Sequence, residues 1–99
     1  ILNVENEQKI DGAEQIRNTA QEAEQRLATK IQTLTQKLDR EVKYYNEHQS
    51  SLYQDAKIRS QNTIIALCNE LMQNGAIIDS KNIKVLQAII IERNGGKSL

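Results

Sequence analysis

Residues 23–42 read AEQRLATKIQTLTQKLDREV, with apolar side chains at Ala23, Leu27, Ile31, Leu34, Leu38 and Val42. The steps between them are of three and four residues, which keeps them on one stripe of a helix. The stretch lies in a run between Gly12 and Gly75 with no intervening Gly or Pro. Those two residues are the strongest helix punctuation, and the run is rich in the good helix formers Ala, Gln, Glu, Lys, Arg and Leu.

The same spacing extends well beyond residue 42. An eleven-residue step lines up Ala20, Ile31, Val42, Tyr53 and Ile64 in one column and Ala23, Leu34, Tyr45, Ala56 and Leu67 in a second. A third column holds Ile16, Leu27, Leu38 and Leu71 and lapses to polar residues at Gln49 and Ser60. Eleven residues in three turns is about 3.67 per turn, which lets a long helix keep one seam toward a partner with little supercoiling. A long solitary helix would leave this stripe in water and be marginal in stability.

The expected fold is therefore all-α. One long helix over 5–73 carries the eleven-residue (hendecad) repeat into an oligomeric coiled coil. The expected interface is Ile16, Ala20, Ala23, Leu27, Ile31, Leu34, Leu38, Val42, Tyr45, Tyr53, Ala56, Ile64, Leu67 and Leu71 on this helix, continued by Ile83, Leu86 and Ile90 beyond it. The alternative is an antiparallel hairpin turning in the polar stretch Asn46–Ser51, NEHQSS. The unbroken phase and the lack of Gly or Pro there favour the continuous helix.

The C-terminal end is better punctuated. Asn74 and Gly75 make a helix stop, with Gly in the left-handed position. A short helix over 79–93 follows, capped by Asp79 or Ser80, and RNGG ends it. Three consecutive Ile in VLQAIII make a strand the rival reading. The short helix is expected to fold back on the apolar end of the long one as a helical head, with Ile77 and Ile78 in the corner and two or more chains sharing the head. Residues 94–99 are a flexible tail. The opening segment, ILNVENEQKIDGAEQ, is weakly patterned and is expected to fray.

Composition agrees with a thin helical protein. The chain has 99 residues with no Pro, Trp or Phe and only three Tyr, so it lacks the aromatics that usually fill a core. Thirteen acids balance thirteen bases, so no net field points to nucleic acid or an acidic surface. The longest apolar run, Ala88–Ile91, is far short of the ~20 residues of a membrane span. Cys68 alone gives neither an internal disulfide nor a thiolate-rich metal site, and is read as a small buried apolar residue. The start at Ile1 suggests a piece of a longer protein, and the cytoplasm is the favoured compartment.

Chemistry is sparse. His48 is the lone histidine, and Ser51 lies one helical turn on. A hydrolytic pair would also need an oxyanion site and a pocket, which a thin helix does not supply. The terminal NGGKSL resembles half of a phosphate-binding loop but lacks the helix that must follow. No enzyme activity, cofactor, metal or small-molecule substrate is expected. Residues 5–24 hold six acids and two bases, whereas 26–43 hold five bases and two acids. That asymmetry weakly favours antiparallel or staggered pairing.

The expected function is thus a self-associating helical rod, an oligomerisation, spacer or scaffold module of a larger protein or assembly. A helical adaptor for a different helical protein is the alternative. Membrane-surface binding is disfavoured by the missing Phe and Trp, and nucleic-acid binding by the acids interspersed in 26–43.

Overall fold

A computed structural model describes the backbone of residues 2–96 and the side chains of residues 14–96. Among the described residues there are three helices and no strand: α1 (Leu2–His48), α2 (Gln54–Gln73) and α3 (Ser80–Arg93). The chain divides into two units, one ending at Lys30 and the other beginning at Ile31. In the first unit the described side chains, from Glu14 to Lys30, all lie on the surface of α1.

The second unit is a three-helix bundle. The expected continuous helix over 5–73 is corrected here: the chain leaves the helix after His48 and resumes at Gln54. The His48 carbonyl accepts from the Ser51 and Leu52 amides at 2.9 and 3.0 Å and from the Ser51 hydroxyl at 3.0 Å. Ser readily makes such local bonds in competition with the helix. Tyr53 is then extended, at φ −60° and ψ 153°, and its carbonyl restarts the helical ladder by accepting from the Lys57 amide.

The cost of this break is a few helical hydrogen bonds. The return is burial. α2 runs back along α1 and sets Ile64, Cys68 and Leu71 against Leu34, Leu38, Val42 and Tyr45, while α3 adds Leu86 and Ile89. Fully burying one Leu- or Ile-sized side chain contributes about 1.5–3 kcal/mol, so a handful of such groups outweighs the local loss. The unbroken eleven-residue phase could not reveal the turn, because each arm of a hairpin needs its own stripe.

α3 is a helix, as the caps suggested, rather than a strand. The Asp79 carboxylate accepts from the Lys81 amide at 3.1 Å. Between α2 and α3, Gly75 at φ +75° closes a helix-ending motif in which the Ala76 amide donates to the Leu71 carbonyl and the Gly75 amide to that of Met72. Gly95 repeats it after α3, with Gly96 bonded back to Ile91. Residues 94–96 of the expected tail therefore form an ordered turn, and residues 97–99, with Lys97 and Ser98, lie outside the described residues. The opening segment, expected to fray, is helical from Leu2 onward; its side chains before Glu14 are not described.

Two expectations about the head change. One chain covers its own core, because the second half of α1 supplies the third wall. Ile78 packs against that core, but Ile77 is fully exposed in the α2–α3 connection, and Ile91 is also exposed.

Candidate interaction surface

The residues expected to meet a partner divide into two groups. Leu34, Leu38, Val42, Tyr45, Ile64, Leu71 and Leu86 are buried inside the bundle, with Ile31, Leu67 and Ile90 packed partly buried against them. Ala56 and Ile83 are half-buried. These positions are occupied by the chain's own helices. Ile16, Ala20, Ala23, Leu27 and Tyr53 remain exposed, Ile16 at 74% and Leu27 at 43%.

Ile16, Ala20, Ala23 and Leu27 follow steps of four, three and four residues on α1 and so share one face. A shallow hollow lined by Gln15, Ile16, Thr19, Ala20 and Ala23 runs along it. The two Ala keep its floor low, and Ile16 stands at one end. The shoulders are charged: Arg17 and Glu24 follow the stripe on one side, and Arg26 precedes Leu27 on the other.

In the bundle, the end nearest the α1–α2 turn is polar. Gln61, 3% exposed, donates from Nε2 to the Tyr45 hydroxyl at 3.1 Å and to the Glu92 carboxylate at 3.2 Å. Lys57 Nζ donates to the other Glu92 oxygen at 2.6 Å. That bond is the main reason the ammonium is held above its ordinary pKa, against a smaller opposing effect of burial. The Ser60 hydroxyl donates to Glu41 at 2.7 Å, and Arg93 bonds Asn62. These bonds tie all three helices together.

At the start of α3, buried Asn82 donates from Nδ2 to Asp39 at 2.8 Å, while its Oδ1 has no protein partner. The groove there is lined by Asp39, Val42, Lys43, Asn46, Glu47, Lys81 and Asn82. Both signs of charge line it, so it selects no ligand by charge.

His48 and Ser51 form no catalytic pair. Ser51 bonds the His48 main-chain carbonyl, and the exposed His48 ring stacks on Tyr44 at 4.7 Å, with Nδ1 3.0 Å from the Tyr44 carbonyl. Cys68 is fully buried, and its burial raises the thiol pKa, which disfavours the reactive thiolate. Among the described residues no His, Cys, Asp and Glu converge as a metal site, and no helix is long and apolar enough to cross a membrane.

Sequence reasoning missed Ser60, Gln61 and Asn82 as buried polar residues. The signal was present in their spacing: Gln61 stands three residues before Ile64, and Asn82 four before Leu86, each on the core face of its helix. Compared with known proteins, the chain matches no family model, no curated protein and no solved structure.

Proposed function

We propose that the chain is a non-enzymatic self-association module, in which the three-helix bundle folds within one chain and the first part of α1 pairs with other copies. The observation that carries this reading is the exposed stripe Ile16–Ala20–Ala23–Leu27, whose spacing is that of a helix–helix seam. Scattered exposed apolar residues are ordinary on protein surfaces; four in register on one helix face are a place for another helix.

The role that follows is oligomerisation or spacing of whatever the chain is joined to. It is a narrower version of the rod expected from sequence, since the seam beyond Ile31 is used inside the bundle. Light scattering after size exclusion tests it. Over a dilution series the full chain should show a mass that rises with concentration above the 11.3 kDa of one copy. A monomer throughout would contradict self-association and leave a different helical protein as the occupant of the stripe.

A further inference from the structure

The turn at Gln49–Tyr53 leaves one regularity unexplained. A hairpin needs an apolar stripe on each arm, but the turn between the arms frees the two stripes from any common phase. Here they share one. The eleven-residue columns run from Val42 to Ile64, and from Tyr45 through Ala56 to Leu67, without a slip. A common phase is what a helix passing straight through would need to keep one seam toward a partner. Tyr53 marks the link. It stands midway between Val42 and Ile64 in one column, yet it is 89% exposed while both of those are buried.

We propose that two copies of the chain can exchange α2 and α3. Residues 49–53 become helical, and α2 and α3 of each copy close the bundle on α1 of the other. This exchange does not depend on the Ile16–Leu27 stripe.

The side-chain bonds between α1 and α2 place the two-fold axis. The pairs Glu41–Ser60 and Tyr45–Gln61 are both centred on the turn, between residues 50 and 53. In an antiparallel pair with that centre, α1 meets the second copy's α2 at the levels where it now meets its own. The face of α1 that its own α2 and α3 leave is the face that the second copy's α2 and α3 take, so no surface is used twice. The core around Leu38, Val42, Ile64 and Ile89 reforms between copies, as do the Glu41–Ser60 and Asp39–Asn82 bonds. New neighbours meet only near the axis, where the two Tyr53 side chains come together. Glu92 bonds Tyr45 and Lys57, which keeps the end of α3 roughly 10 Å from the axis in each bundle.

The turn itself is open to straightening. It contains no Gly, no Pro and no positive φ. The Leu52 amide already donates to the His48 carbonyl four residues back, as in a helix. Tyr53, extended at ψ 153°, must rotate to helical values. Helical bonds across the turn and cover for Tyr53 then favour the exchanged form. Against them, a chain closing on itself has an effective concentration in the mM range, and opening it gives up the core. The closed bundle therefore prevails in dilute solution, and the exchanged dimer is reached by refolding at high protein concentration.

Complementation between two defective chains tests the exchange. Both are full-length, carry Ile16→Gln and Leu27→Gln to remove stripe pairing, and are kept reduced. Leu38→Glu spoils α1 in one, and Ile64→Glu spoils α2 in the other. Refolded alone, neither has an intact core, closed or exchanged. Refolded together from urea at about 1 mM, exchange sets the sound α1 of one against the sound α2 and α3 of the other. The expected result is a cooperative unfolding transition and a mass of twice 11.3 kDa, neither of which the separate chains show. A mixture that behaves as the sum of its separate chains overturns the exchange.

Turn variants with the core unaltered give a second readout in the same stripe-free chain. Ser50→Ala/Ser51→Ala favours helix through the turn, and Ser50→Gly/Ser51→Gly disfavours it. After refolding at about 1 mM, the dimerisation constant should rise roughly tenfold with the alanines and fall roughly tenfold with the glycines. Equal dimer fractions in the three chains, or no dimer in any, would contradict the proposal.

Discussion

Gln61 of α2 reaches Tyr45 of α1 and, through the same nitrogen, Glu92 of α3. One buried amide therefore holds three helices in register at the end where the core gives way to polar side chains. A buried group of this kind is costly to leave half-satisfied. Gln61→Leu should destabilise the bundle by about 1–3 kcal/mol, because the Tyr45 hydroxyl loses its donor and Glu92 Oε2 keeps only the longer bond from the Tyr45 hydroxyl, at 3.5 Å. Tyr45→Phe keeps the ring in the core and should cost less, about 0.5–1.5 kcal/mol. Urea denaturation of the two variants checks the order; equal effects would show that the amide adds nothing beyond the tyrosine bond.

The Lys57–Glu92 contact has a pH signature. Lys57 titrates above its ordinary value in the folded chain, chiefly through its hydrogen bond to Glu92. A raised basic pKa gives stability that is fully present below the unfolded-state value and is lost as pH rises through the folded one. The stability difference between the native chain and Lys57→Met should therefore stay constant from neutral pH to about pH 10 and shrink above it. A difference that instead changes between pH 5 and 8 would point to another group.

Burial separates core residue Ile64 of α2 from stripe residue Ile16 of α1. Ile64 is fully buried, and Ile64→Ala should cost about 2–5 kcal/mol. Ile16 is 74% exposed, and at protein concentrations where the chain is monomeric Ile16→Ala should change stability by no more than about 0.5 kcal/mol. Thermal melts followed by circular dichroism distinguish the two. A large loss from Ile16→Ala in the monomer would mean that its side chain is covered within one chain.

The turn after α2 depends on backbone conformation rather than on space. A Cβ at Gly75 would meet nothing within 4 Å, yet φ is +75°. Gly75→Ala should destabilise by about 1 kcal/mol from the left-handed conformation alone. Gly75→Asn should cost less, since Asn tolerates that region better. Equal melting temperatures for Gly75→Ala and the native chain would contradict this.

Much of the fold is written in periodicity and punctuation. The helical class, the stop at Gly75, the Asp79 cap and the end of α3 all follow from short-range chemistry, in which a residue acts on neighbours a turn away. The break at Gln49–Tyr53 is different. No Gly or Pro marks it, and it exists because Ile64, Cys68 and Leu71 gain more from meeting Leu34, Leu38 and Val42 than a straight helix offers. That balance depends on contacts distant in sequence, which the phase of the repeat does not encode. The buried network around Gln61 was hidden for a related reason: Gln61 is polar and Glu92 lies in another helix, so a search for apolar columns passes over both. On the candidate surface, the stripe from Ile16 to Leu27 was legible as apolar spacing. Only its separation from the bundle core required the three-dimensional structure.

The stripe from Ile16 to Leu27 is proposed as a seam between copies rather than an incidental run of apolar residues. Light scattering of the native chain beside an Ile16→Gln/Leu27→Gln variant, with the helicity of each measured on the same samples, addresses this most directly. The expected result is a native chain whose mass rises with concentration above 11.3 kDa and a variant that stays monomeric with its bundle still folded. A variant that associates as strongly as the native chain would contradict it.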